Sequence, residues 1–119
     1  MTRLEDTLAR IALRDDRFIA SLPRFSSDCL ELDQRLFALA RLAALIGLDG
    51  AAPSFIATVQ DAQAAGASEA EIVATLIAVV PSVGVVRASS AAPKISLALG
   101  YEPDAALEES DRDWLKRPE

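Results

Sequence analysis

Few side chains in this sequence can do chemistry, and the most suggestive are three on one predicted helix. Ser54, Thr58 and Asp61 stand at i, i+4 and i+7 and so share one helical face. Two hydroxyls and a carboxylate in that order make a polar wall able to orient a ligand, with Asp61 as a base. A structural account of the same residues stands beside it: Ser54 starts the helix, Thr58 bonds a backbone carbonyl and Asp61 is solvated. Arg41 and Arg87 are each surrounded in sequence by Ala, Leu, Val and Ile. A guanidinium cannot stay buried unpaired, so each needs a carboxylate, helix C-terminal carbonyls, water or an anionic ligand. Ion pairs, including pairs across a subunit interface, meet that need. An anion site in which both arginines hold the carboxylate of a small organic acid meets it too. On the functional reading Thr58 and Asp61 are the candidate catalytic residues, and Arg41, Ser54 and Arg87 the candidate ligand-binding ones.

Several chemistries are excluded. The chain has no histidine, the usual carrier of acid–base and metal chemistry near neutral pH. No metal-ligand cluster, phosphate-cradling Gly-rich loop or glycosidase-type carboxylate pair is visible, so no metal or cofactor is expected. Cys29 is the single cysteine and can form no internal disulfide, which points to a reducing, cytoplasmic setting. A net charge of −6 argues against nucleic acid and against anionic membrane surfaces. Met1 to Arg10 carries Arg3, Glu5, Asp6 and Arg10 and does not read as a signal peptide. The charge-free run Ile72 to Val86 contains Pro81 and Gly84 and is shorter than the roughly 18–20 residues of a membrane span.

The elements that must position these residues follow from periodicity. Leu4, Leu8, Ile11 and Ala12 predict an amphipathic helix over Thr2–Leu13. A single helical turn is expected at Phe18–Leu22 before Pro23, then a loop at Arg24–Asp28. A strong helix should start at Asp33 as N-cap and run to Gly47, with Leu36, Leu39, Ala40, Ala43 and Ile46 on one side and Leu42 and Leu45 on another. A turn at Asp49-Gly50 leads to Pro53, suited to the first helical position of the next helix, which should end at Gly66 in a left-handed cap. Ser68-Glu69-Ala70-Glu71 is a capping box for a helix expected to run to Val80, where Pro81 breaks or kinks it. A further helix from about Val83 to Leu99 is stopped by Gly100, and Ser89-Ser90 reads as surface or a small-residue contact. Asp104 is expected to cap a last short helix through Glu109, with Ser110–Glu119 as a tail. No strand is predicted, and short connections between helices point to an all-α bundle of five to six helices.

Charge is distributed unevenly along that bundle. Between Leu36 and Gly100 only Arg41, Asp49, Asp61, Glu69, Glu71, Arg87 and Lys94 are charged, out of 30 charged residues in the chain. Such a segment must pack on itself or on copies of itself. One domain over 1–119 is expected: a helical extension at 1–31, a core block at 32–100 and an acidic tail at 102–119.

Within the core block, three stretches carry a family resemblance. They are Leu32-Asp33-Gln34-Arg35, Asp61-Ala62-Gln63-Ala64-Ala65-Gly66-Ala67-Ser68-Glu69-Ala70-Glu71-Ile72, and Val80-Pro81-Ser82-Val83-Gly84. Their order and spacing resemble the carboxymuconolactone decarboxylase family, which includes the alkylhydroperoxidase-D-like proteins. The resemblance implies an all-helical subunit of the alkylhydroperoxidase-D-like type that forms homodimers, trimers or hexamers. It also implies that the cysteine pair of the redox members falls here on Ala51 and Ser54. Their histidine falls on Thr58, and their relay glutamate on Ala38 or Leu39. None of those reactive groups is present. Thiol peroxidase chemistry needs a nucleophilic thiolate and a resolving thiol, which alanine and serine do not supply. Two functions stay open on this resemblance: a non-redox member that binds or transforms a small organic acid by decarboxylase or lactone chemistry, and a non-catalytic structural or ligand-binding oligomer. In either case the face of Ser54 and Thr58 should border the family's pocket.

Overall fold

A computed structural model describes residues 3–24 and 32–102. All regular structure among them is helical. Cys29, most of the expected loop at Arg24–Asp28, the Asp104 helix and the tail from Ser110 lie outside the described residues. The chain divides into two compact units, Met1–Asp33 and Gln34–Glu119.

In the first unit, α1 (Arg3–Ala12) presents Leu4, Leu8 and Ile11 on one face, yet none of its residues is buried. Its end is pinned by Arg10, whose guanidinium donates to Asp6 one turn back at 3.0 Å and to Asp15 at 2.9 Å. Asp15 also caps α2 (Asp16–Ser21), accepting the Phe18 N–H at 3.2 Å. The chain then tightens into a 3₁₀ turn, Leu22–Arg24, where Pro23 cannot donate to a continuing α-helix.

The second unit packs α3 (Gln34–Leu48), α4 (Ala52–Ala64), α5 (Glu69–Val83) and α6 (Val85–Leu99) around one core. α3 touches the other three helices, and α6 lies against both α4 and α5. The core face of α3 is Ala38, Leu42 and Ile46, flanked by half-buried Leu39 and Leu45. Phe55, Val59 and Ala62 oppose them from α4, Ile72 from α5, and Ala91 and Ile95 from α6. The expected register of α3 is thereby corrected. Leu36 and Ala40 face outward, because Leu42 rather than Leu39 points at the centre of the other three helices.

Helix ends account for much of the architecture. α1, α3, α4 and α6 all close with paired bonds that return two of the first three residues past the helix to its last turn. In α4 these run from Gly66 N–H to Gln63 O at 3.0 Å and from Ala67 N–H to Ala62 O at 2.9 Å, with Gly66 at φ +97°. α6 does the same through Gly100, in the left-handed conformation. In α3 the turning residue is Asp49 (φ +54°) rather than Gly50, with Asp49 N–H to Ile46 O at 3.3 Å and Gly50 N–H to Leu45 O at 3.0 Å. Gly50 is packed closely instead: a Cβ there would stand 2.8 Å from Leu45 Cδ2, so the end of that side chain would have to move. The capping box of α5 forms as expected, with Glu71 N–H to Ser68 Oγ and Ser68 N–H to the Glu71 carboxylate both at 3.1 Å.

One proline expectation needs correction. Pro81 does not end α5. The helix runs on to Val83, the Gly84 N–H still reaches Val80 O at 2.8 Å, and the break comes at Gly84 (φ +89°). Pro81 is tolerated because it faces outward two residues before the helix ends, as Pro93 does within α6. The carbonyls they leave unbonded belong to Ile77 and Ser89, themselves exposed positions where water can serve.

Candidate functional site

α3 and α4 are joined by only three residues, 49–51, and lie side by side. That brings Arg41 of α3 to the same groove as Ser54 and Thr58 of α4. The groove has a volume of about 360 Å³ and is completed by Ala44, Leu45 and Ala57. Four of the five sequence candidates meet here, since Asp61 follows Thr58 by one turn of α4 and its Oδ2 lies 3.8 Å from Arg41 Nη1. The Arg41 guanidinium also stands 5.9 Å from the centre of the Phe37 ring, one turn back on its own helix. It is therefore held between an aromatic face and a carboxylate.

The surroundings differ from those expected for Arg41. Its side chain is 56% exposed rather than enclosed by α3's apolar neighbours, because it projects from the side of the helix away from Leu42 and Ile46. Thr58 is the reverse: at 3% exposure it is the one buried polar residue among the described residues, its Cα on the core side of α4 beside Phe55 and Val59. Ser54 is exposed and lies in the first turn of α4, whose N-cap, Ala51, has no side chain to offer the helix N–H groups. One wall of the groove thus carries a cation and two hydroxyl residues, and the other is the methyl surface of Ala44, Leu45 and Ala57. An amphipathic anion matches both.

Arg87 does not join this group. It is exposed near the start of α6 and lines a second groove of about 520 Å³ with Asp49, Val83, Gly84, Val85, Val86 and Ser90. That groove abuts a polar clasp that sequence reasoning read only as a turn. Asp49 Oδ1 accepts from Ser90 Oγ at 2.7 Å and from Lys94 Nζ at 3.1 Å, and the same ammonium donates to Gly50 O at 2.8 Å. Lys94 also lies 5.6 Å from the centre of the Phe55 ring. The Ser90 hydrogen bond, then Lys94 and more distantly Arg87, hold the Asp49 carboxyl below its ordinary value. The clasp ties the α3–α4 turn to α6 and so fixes the end of the bundle next to the first groove. Its sequence signal was the spacing of Ser90 and Lys94, one helical turn apart, but their shared partner lies more than forty positions away.

A second ionic cluster stands at the start of α5. Arg35 pairs with Glu71, and Tyr101 donates to Glu69. The Glu71 carboxyl is lowered chiefly by the Ser68 backbone N–H, with Arg35 adding to it, while the Glu69 bond raises the Tyr101 hydroxyl. These contacts orient α5 and do not reach the Arg41 groove. Among the described residues no three His, Cys, Asp or Glu side chains are grouped to hold a metal ion, and no helix is long and apolar enough to cross a membrane. No protein-family profile, curated protein or solved structure matches this chain at a significant level.

Proposed function

We propose that this protein binds a small organic acid in the groove between α3 and α4, as a non-redox homo-oligomer related to the carboxymuconolactone decarboxylase and alkylhydroperoxidase-D-like proteins. One observation carries the proposal: Arg41, Ser54 and Thr58, from two helices, line one groove opposite Ala44, Leu45 and Ala57. Arg41 would take the ligand's carboxylate, Ser54 and Thr58 its remaining polar atoms, and the methyl wall its hydrocarbon body. The family resemblance supports the placement, since Ser54 and Thr58 fall on its reactive positions. The same substitution removes thiol chemistry from those positions. Binding rather than turnover is proposed because Asp61, the candidate base, is 63% exposed and does not line the groove.

The test is Arg41→Met against benzoate, a monocarboxylate with an apolar body. The Arg41–Asp61 pair is exposed, so its loss should change apo stability by no more than about 1 kcal/mol. Benzoate affinity should fall by about one to two orders of magnitude, matching about 1.5–3 kcal/mol for a charge-assisted hydrogen bond. Arg87→Met serves as comparison and should leave binding unchanged, because Arg87 lines the other groove. Failure of benzoate and a panel of other small acids to raise the wild-type melting temperature would overturn the proposal.

A further inference from the structure

Asp61 already stands where a ligand carboxylate would go, and it holds that place loosely. At 3.8 Å its Oδ2 is beyond hydrogen-bonding distance of Arg41 Nη1, and the two side chains are 56% and 63% exposed. Ion pairs of this kind are among the weakest in proteins. A guanidinium presents a planar fork of donors that a carboxylate can meet with two short parallel bonds, and Asp61 at this separation does not use it that way. A ligand carboxylate able to approach edge-on, in the plane of the guanidinium, would therefore win the contest for Arg41. Asp61 would stay nearby, because it is fixed to α4 one turn from Thr58.

On the basis of carboxylate binding at Arg41, we propose that Asp61 is a displaceable internal counter-ion whose charge restricts the groove to monoanionic acids. In the absence of ligand it neutralises Arg41. Once a ligand's carboxylate has taken Arg41, the displaced Asp61 carboxylate faces the rest of the ligand across a few ångströms. A second anionic group would meet that charge. It would also find no second cation, since Ala44, Leu45, Ser54, Ala57 and Thr58 make up the remaining lining and Lys94 of α6 serves Asp49. An uncharged, apolar body meets neither problem. Asp61 is thus assigned a role in specificity in place of the proton transfer expected from its position on the polar face.

The experiment titrates benzoate and its dianionic relative phthalate into the full-length wild type, Asp61→Asn and Arg41→Met, with binding followed by calorimetry. Asp61→Asn should tighten benzoate about threefold by removing the competitor, and phthalate about tenfold or more by also removing the repulsion. Selectivity for the monoanion then narrows, and Arg41→Met weakens binding of both ligands. Asp61→Ser, which removes charge and shape together, repeats the test should the asparagine variant fold poorly. Unchanged or weaker benzoate binding in the Asp61 variants, with Arg41→Met still defective, overturns the counter-ion while carboxylate binding at Arg41 stands. Equal tightening of the two acids overturns the charge discrimination. No benzoate binding by wild type or by either Asp61 variant overturns both the counter-ion and the binding function beneath it.

Discussion

Asp49 shows how much one side chain can carry in a chain with few charges in its core block. It takes the left-handed conformation that ends α3, a place where aspartate is tolerated better than most residues. It then uses its carboxylate to hold α6 through Ser90 and Lys94. Because that carboxyl titrates below its ordinary value of 3.8, the clasp stabilises the fold fully above that pH. The contribution is lost as pH falls through the lower folded-state value, where the protonated group no longer attracts Lys94. Asp49→Asn keeps the backbone conformation and removes the charge. In urea melts from pH 6 to pH 2, the variant should be less stable than wild type at pH 6. The gap should close below about pH 4. A gap that persists unchanged to pH 2 would show that the charge is not what Ser90 and Lys94 hold.

Elements here are defined more by their ends than by their interiors. Gly66, Gly84 and Gly100 each adopt positive φ and each terminates a helix, and the Ser68 box starts one. The prolines at 81 and 93 do not interrupt their helices, since both face outward and their lost partners are exposed carbonyls. Tolerance is not neutrality. A helix-interior proline forfeits a hydrogen bond and crowds the carbonyl one turn back, at a cost of about 3 kcal/mol relative to alanine in an unconstrained helix. Pro93→Ala should therefore raise stability, by about 1–3 kcal/mol in chemical denaturation, because Ser89 O regains its donor. A drop in stability would mean that the proline ring's own packing outweighs the hydrogen bond it forfeits.

At the scale of the whole molecule, the apolar side chains left outside the core need an explanation. Val73 and Ile77 are exposed one turn apart on α5, and Val85 and Val86 are 68% and 83% exposed at the start of α6. Single exposed hydrophobics are ordinary, but several on one small subunit are what contact surfaces are made of. They support the proposed homo-oligomer, and charge placed there should disperse it. Ile77→Glu combined with Val86→Glu should give a particle of about the chain mass, 12.7 kDa, in light scattering at micromolar concentration, with its helical circular dichroism intact. A wild type that already scatters as a monomer would remove the oligomer from the proposal.

What the sequence determined by itself was local: the helical periodicity, the Ser68–Glu71 box, the stops at Gly66 and Gly100, and the common face of Ser54, Thr58 and Asp61. Each depends on residues within a turn or two of one another, where propensity, capping geometry and the 3.6-residue repeat act directly. Helix packing decided the rest. Which side of α3 faces the core follows from where α4, α5 and α6 lie. An apolar helix rich in Ala and Leu offers several faces of similar hydrophobicity, so Leu42 rather than Leu39 could not be read from spacing. The same choice turned Arg41 outward to Asp61 and left Arg87 in another groove. Partners twenty and more positions apart, such as Arg41 with Asp61 or Asp49 with Ser90 and Lys94, leave no periodic trace. Only the packed helices bring them within reach.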